Sequence, residues 1–194
     1  MPTVCGAISE DILANCDNKP IGGVDTTIYG IPLADWNNAT LTFDAGNPLI
    51  INSIALLTGK KFFKFQVFKR GHKPKFEAVD TEFGVNYKHS IATNIPVYTD
   101  AVKAQIQALA EGYTVFIVEN LQKSGVPFEI YGAQSGLRMP DLVRDLAANE
   151  GVITGIFTND EDAAEPRPPY TFKTVTGTYA STKAAVTALT VAAS

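Results

Sequence analysis

The chain has 194 residues, of which 45% are hydrophobic and 19% are charged, and its formal net charge is −4 at pH 7. These values are typical of a globular chain with one sizeable core, and they exclude an intrinsically disordered one. The negative net charge gives no general attraction to nucleic acid or to an anionic membrane.

Neither membrane insertion nor disulfide chemistry is predicted. No stretch approaches the roughly 18–20 consecutive apolar residues of a membrane span, and the acidic N-terminus lacks the basic start of a secretion signal. Cys5 and Cys16 have the spacing of neither a redox pair nor a zinc knuckle. We interpret them as reduced thiols, in keeping with synthesis in a reducing cytoplasm.

The first part of the chain predicts an arm followed by short strands. Residues 1–23 form the predicted N-terminal arm, with a short helix over 7–14. Between Val24 and Leu57, apolar runs are separated by turn-forming residues such as Pro32. This punctuation predicts three short strands.

Residues 60–97 predict a long antiparallel hairpin. Apolar and polar residues alternate approximately from Phe63 to Val67, and again from Phe83 to Ile91. The segment 71–80 between them is polar and contains glycine and proline. We expect it to form a broad, exposed tip.

The segment from 99 to 112 is the strongest helix signal in the chain. Thr99 or Asp100 can cap its start, and Gly112 ends it. Four apolar residues share one face, which should pack on a sheet: Val102, Ile106, Leu109 and Ala110.

The second half of the chain alternates strands with turns. The segments with strand character are 113–121, 126–132, 152–158 and 170–175, with a further strand or turn beginning at Gly136. Residues 141–151 predict a short helix, and 159–169 an acidic, proline-rich loop. The end, about 180–194, predicts a tail or a weak helix capped by Ser181 or Thr182.

These elements predict a mainly β fold in a single domain over 1–194. Because the strands are joined by hairpins rather than by helical crossovers, an antiparallel sandwich or barrel is favoured. A flanking α-helix and a long β-hairpin complete the predicted architecture.

The run GAQSG (132–136) raises the question of a hydrolase. A nucleophile elbow needs glycines two residues on either side of the serine. Here Ala133 lies two residues before Ser135, and Gly136 follows at once. A triad of Ser135, His89 and a carboxylate is therefore disfavoured. We predict no catalytic site and no enzyme activity.

No cofactor or metal site is predicted either. His72 and His89 are the two histidines, and neither shares a local motif with another zinc ligand. Asp160, Glu161 and Asp162 lack the spacing of a calcium loop. No phosphate-binding glycine motif is present.

One charge pattern is distinctive. The run from 60 to 75 has seven basic residues and no acid, and they are Lys60, Lys61, Lys64, Lys69, Arg70, Lys73 and Lys75. Interleaved phenylalanines would suit single-stranded nucleic acid, but their alternation favours a core face beneath a charged hairpin surface. The acidic loop at 159–165 is the natural complement, in the same chain or in a neighbouring copy.

We therefore expect contacts between identical subunits at eight charged positions: Lys64, Lys69, Arg70, Lys73, Lys75, Asp160, Glu161 and Asp162.

Four motifs in order carry a resemblance to a known family. They are NYKHSI (86–91), LAEGYTVFIVE (109–119), FEIYGAQSGL (128–137) and EPRPPYTF (165–172). With the strand and helix order around them, they resemble tail tube-like virion proteins of phages of Bacteroidota. The motifs lie within roughly half of the chain, and the first 60 residues carry none of them.

The resemblance implies a structural virion protein of the tail rather than an enzyme. Such subunits form stacked rings, hexameric in this family, and DNA passes through the resulting tube. Their partners are other copies, other tail proteins and DNA in transit. Within such a tube, an alternative places the acids at 159–165 towards the lumen, where negative charge would prevent passing DNA from sticking. A long hairpin contributes to contacts between rings, and neighbouring subunits cover the edges of the sheets.

Within this resemblance, GAQSG has a structural interpretation. The glycines allow a strand to end, bend and restart, with a positive φ at Gly132 or Gly136, and Ser135 becomes a turn residue. Three alternatives remain open: another virion or capsid-associated β-protein, a small hydrolase, and a carbohydrate-binding β-sandwich.

Overall fold

A computed structural model of the protein describes residues 23–67, 71–82, 84–95, 99–144, 152–160 and 162–193. The predicted helix over 7–14 and both cysteines lie outside these residues. Within the described ranges the chain forms eleven strands and three helices.

The strands are β1 (Val24–Pro32), β2 (Thr40–Phe43), β3 (Ile50–Ala55), β4 (Phe63–Gln66), β5 (Lys73–Thr81), β6 (Gly84–Ile95), β7 (Thr114–Asn120), β8 (Phe128–Tyr131), β9 (Arg138–Arg144), β10 (Ile153–Thr158) and β11 (Tyr170–Phe172). The helices are α1 (Leu33–Asn37), α2 (Asp100–Glu111) and α3 (Tyr179–Ala188).

Two sheets make up the fold. Seven strands form one sheet in the order β2-β3-β11-β8-β7-β1-β4, and four form the other in the order β5-β6-β10-β9. All strand pairs are antiparallel except β11 with β3. The predicted mainly β fold, an antiparallel sandwich with a flanking helix and a hairpin, is therefore confirmed.

The first core lies between the two sheets. Ile28, Phe116 and Val118 of the seven-stranded sheet pack there with Ile91 and Phe157 of the four-stranded sheet. The rings of Phe116 and Phe157 have centroids 4.6 Å apart. Burial of such side chains is worth about 1.5–3 kcal/mol each, so this layer holds the sheets together.

A second core covers the opposite face of the seven-stranded sheet. Trp36 of α1 and Val186 of α3 are buried there against strand residues such as Ile117. The indole Nε1 of Trp36 donates a 2.8 Å hydrogen bond to the carbonyl of Ala133. The large sheet is thus covered on both faces, which explains why β7 is apolar at nearly every position.

Helix α2 confirms the prediction for 99–112. The Thr99 hydroxyl accepts a 3.3 Å hydrogen bond from the Val102 amide, as an N-cap should. Ile106 is buried, and Leu109 packs against the core between the sheets. The helix lies beside edge strands β9 and β4, so it closes one side of the sandwich.

The prediction for the hairpin was right about its second strand, which is β6, and wrong about its first. Residues 63–66 form β4, which pairs with β1 in the large sheet, Phe63 opposite Gly30. The hairpin is formed by β5 and β6, with Thr81 opposite Gly84 at its end. The expected tip, 71–80, is therefore mostly strand. Its polar composition reflects exposure of β5 rather than loop structure.

Two smaller predictions also need correction. Residues 141–144, expected to begin a helix, belong to β9, where Leu142 pairs with Gly155 of β10 and packs against the core between the sheets. The rest of the predicted helix, 145–151, lies outside the described residues. In the C-terminal region, α3 begins at Tyr179, and its cap is Thr178 rather than Ser181 or Thr182.

Candidate assembly surface

The end of the β5–β6 hairpin is exposed to solvent. All residues from 75 to 82 are exposed, as are 84 and 85. In a strand, alternate residues point to opposite faces, so both faces of this segment are open to solvent over much of their area. We call residues 76–87 the distal hairpin.

One face of the distal hairpin is largely apolar. Phe76 lies opposite His89, Ala78 opposite Tyr87, and Asp80 opposite Val85. Because paired residues share a face, these side chains continue the core-facing side of the small sheet. Phe76 is 46% exposed and Val85 49% exposed. The described residues therefore leave about half of each of these two apolar side chains uncovered.

The structure divides the predicted basic run between two sheets. Lys64 is exposed on β4, whereas Lys73 and Lys75 are exposed on β5. Lys75 forms a 2.5 Å ion pair with Glu77 on its own strand. Lys69 and Arg70 lie outside the described residues. The basic positions thus do not form the single hairpin face expected from the sequence.

The acidic loop is also less uniform than expected. Asp160 accepts hydrogen bonds from the Tyr113 hydroxyl and from Nε of Arg138, and these two contacts hold the pKa of its carboxyl below the ordinary value. Asp162 is exposed, and Glu161 lies outside the described residues. Glu165, expected in a solvated loop, is only 2% exposed.

The GAQSG segment forms a tight turn between β8 and β9. Gly132 and Gly136 both have φ of 71°, which confirms the predicted positive φ. A Cβ atom on Gly136 would lie 2.7 Å from Cβ of Tyr113, and one on Gly132 would lie 2.8 Å from Cγ of Leu137. Both conformation and space therefore require glycine at these positions.

Ser135 lies in this turn and is bonded to a carboxylate. Its hydroxyl donates a 2.9 Å hydrogen bond to Oε1 of Glu165. A general base that activates a serine would make the same contact. The other hydrogen bonds to the Glu165 carboxylate therefore decide between a catalytic and a structural role. The backbone amides of Gln134 and Ser135 also donate to the Glu165 carboxylate, at 3.1 and 3.0 Å. Such a carboxylate anchors a turn, because its acceptor positions are filled by fixed donors.

Asn159 and His89 complete the environment of the turn. The side-chain Nδ2 of Asn159 donates to the Ser135 hydroxyl at 2.6 Å and to the Gly136 carbonyl at 3.0 Å. Its side-chain oxygen accepts a 2.7 Å bond from the His89 amide. Nδ1 of His89 accepts from the Gly132 amide at 3.2 Å. That nitrogen is therefore already engaged, and the disfavoured Ser-His arrangement does not form.

The side chain of His89 is almost completely buried. Burial lowers its pKa to about 4, although the backbone of Arg167 acts in the opposite direction. Among the described residues, its Nε2 has no hydrogen-bond partner of standard geometry. The ring is thus a neutral imidazole at pH 7, held between the two sheets.

His72 was expected at an exposed tip, and this was wrong. It is only 3% exposed. Its two ring nitrogens lie 3.2 Å from the Phe65 carbonyl and 2.8 Å from the Thr93 hydroxyl. Burial lowers its pKa. His72 thus links β4 to β6 at the base of the hairpin.

A buried ionic cluster missed by the sequence analysis attaches α3 to the large sheet. Glu119 is 1% exposed and accepts hydrogen bonds from Lys123, Lys183 and the Tyr179 hydroxyl. Burial alone raises the pKa of Glu119, but these donors outweigh it and bring the pKa below its ordinary value. In the sequence, Glu119 is a lone acid in the apolar run YTVFIVENL (113–121), and this was the available indication that it needs a buried partner.

Comparison with protein-family models, curated proteins and solved structures finds no match to the chain. No helix in the described ranges is long and apolar enough to cross a membrane. Those ranges also contain no group of three or more histidine, cysteine, aspartate and glutamate side chains placed to hold a metal ion.

Proposed function

We propose that the protein is a self-assembling structural subunit of a phage tail tube. The observation that carries this proposal is the distal hairpin, on whose apolar face Phe76 and Val85 are about half exposed. Apolar side chains grouped on an exposed element indicate a surface that another protein covers. The order of sequence motifs resembles that of tail tube-like proteins, and it therefore favours a tail tube over other kinds of assembly.

The two-sheet architecture supports the same proposal. The four-stranded sheet ends at β5 on one side and at β9, which lies beside helix α2, on the other. The edge of β5 invites pairing with another chain, and Pro74 removes one backbone donor from it. In the proposed ring, a neighbouring subunit covers the rest of this edge, and stacked rings conduct DNA within the virion tail.

The turn around Ser135 does not favour a hydrolase. Its hydroxyl and the Glu165 carboxylate are engaged in holding backbone groups of the turn. We therefore propose that Ser135 and Glu165 have a structural role, and that neither acts on a substrate.

Shortening the hairpin tests the proposal. Replacing Val79–Asn86 by Asn-Gly joins the facing residues Ala78 and Tyr87 through a two-residue turn that suits an antiparallel hairpin. We expect a folded subunit that no longer assembles, measured by light scattering and by circular dichroism. A shortened protein that assembles as readily as the unaltered one would argue against the proposal.

Charge reversal at the acidic loop tests the contact proposed there. Asp162→Lys is the appropriate variant, because Asp160→Lys would also break the internal contacts to Arg138 and Tyr113. If the loop contacts a neighbouring copy, Asp162→Lys impairs assembly. If the loop faces passing DNA, tubes form normally but retain DNA. Normal, DNA-free tubes would remove both roles for Asp162.

A further inference from the structure

An apolar groove of about 410 Å³ lies between helix α2 and edge strand β4. The apolar residues that line it come from both elements: Phe63, Phe65, Val67, Val102, Ile106 and Leu109. Phe63 is 50% exposed although it stands on the core-facing side of β4, paired with Gly30. The groove is therefore an open extension of the core between the sheets.

The β4 side of this groove is basic. Nζ of Lys61 lies 5.6 Å from the centroid of the Phe63 ring, and Lys64 is exposed on the same strand. On the helix side, Asp100 and Lys103 form an ion pair of 2.7 Å and largely neutralise each other. A partner with apolar side chains and acidic neighbours would match this surface in both respects.

The distal hairpin has this chemistry. Its apolar face carries Phe76 and Val85, and the exposed acids Asp80 and Glu82 lie at its end. Since Phe76 and Val85 are about half exposed, the hairpin does not fill the groove of its own subunit. The apolar side chains of the hairpin thus match the apolar lining of the groove, and its acids match the lysines beside the groove.

We infer that the distal hairpin of one copy docks in the α2–β4 groove of a second copy. This inference rests on the proposed function and specifies which surfaces meet. Hairpin and groove are different surfaces of the same chain, so the contact is heterologous. A heterologous contact adds subunits in one direction, as stacking of rings requires.

Disulfide capture of the full chain tests the docking. With Cys5 and Cys16 changed to serine, one protein carries Val85→Cys and a second protein of different tagged mass carries Ala101→Cys at the groove. The control replaces Val85→Cys by Asn86→Cys, the neighbouring residue on the opposite face of the hairpin. Equal mixtures are oxidised under assembly conditions and separated by mass without reduction.

We expect the Val85–Ala101 heterodimer at a yield at least about tenfold above that of the control, since docking raises the effective concentration of the two thiols. Rings or tubes that form without this excess would overturn the docking and leave the tail tube proposal intact. The excess without rings or tubes would support the docking and count against the tube. Absence of both would overturn both.

Discussion

The Ser135 hydroxyl donates a 2.9 Å hydrogen bond to the carboxylate of Glu165, thirty residues away in the chain. The backbone of Glu165 exchanges two hydrogen bonds with Tyr87, at 2.7 and 2.9 Å. Glu165 therefore connects the GAQSG turn to the strand that carries the distal hairpin. Through Glu165, Ser135 therefore has a structural role in holding the base of the hairpin in place.

Removing the serine hydroxyl should cost stability. We expect Ser135→Ala to lower the free energy of unfolding by about 1–2 kcal/mol, because the buried Glu165 carboxylate loses a donor and Asn159 loses an acceptor. Urea unfolding measures the change. Asp162→Asn, at an exposed position, is the control and should stay within about 0.5 kcal/mol of the unaltered protein. An equal effect of both variants would contradict the anchoring role.

Replacing Gly136 should destabilise the protein for two reasons, its positive φ and the lack of space for a Cβ atom, and these can be separated experimentally. Gly125 and Gly136 have φ of 75° and 71°, but an added Cβ meets nothing within 4 Å at Gly125 and lies 2.7 Å from Tyr113 Cβ at Gly136. Gly125→Ala should therefore cost about 1–2 kcal/mol from conformation alone. Gly136→Ala should cost more, and equal unfolding midpoints for the two variants would show that the turn relaxes around the added atom.

Burial of His89 makes stability depend on pH. Its pKa is about 4 in the folded protein against an ordinary 6.5, so the unfolded chain binds the proton more readily between these values. Stability is thus fully present above pH 6.5 and falls as the pH drops towards 4, by up to about 3 kcal/mol from this residue. The lowered pKa of His72 acts in the same direction.

Equilibrium unfolding measured between pH 7 and pH 4 checks this dependence. His89→Gln should flatten the profile in that window, because the substituted amide does not titrate there. The exposed control Gln105→His, which has no acid three or four residues away on the helix, should leave the profile unchanged, since an exposed imidazole has a similar pKa in the folded and unfolded chain. A steep profile that persists in His89→Gln would assign the effect to other groups.

Glu119 should determine how firmly α3 is held. Glu119→Gln removes the charge that Lys123 and Lys183 share, and we expect a loss of about 1–3 kcal/mol. The cost stays moderate because the side chains of Lys123 and Lys183 are 40% and 34% exposed and can turn to solvent. Hydrogen exchange should rise first at the amides of α3. The exposed variant Glu111→Gln should leave that exchange unchanged, and uniform acceleration across both sheets would contradict a local role.

Features determined locally were predictable from the sequence. Thr99, the apolar face around Ile106 and the end at Gly112 all act within one helix, so α2 was predicted nearly to the residue. The two glycines of GAQSG likewise indicated their own backbone conformation.

Features determined by distant partners were not predictable. Alternation around Phe63 indicates a strand but does not show that its neighbour is β1 rather than β6. Glu165 is followed by prolines in a polar segment, and its burial depends on donors thirty residues away. Glu119 meets Lys183 across 64 positions of the chain. A single sequence indicates which residues are unusual, but it does not indicate where their partners lie.

Negative-stain electron microscopy of the purified full chain tests the central proposal most directly. The tail tube proposal predicts uniform rings, or tubes of constant diameter built from stacked rings, whose abundance rises with protein concentration. Raising the salt concentration should weaken the assemblies, because exposed charges contribute to their contacts. Folded, dispersed monomers at every protein and salt concentration would contradict the proposal.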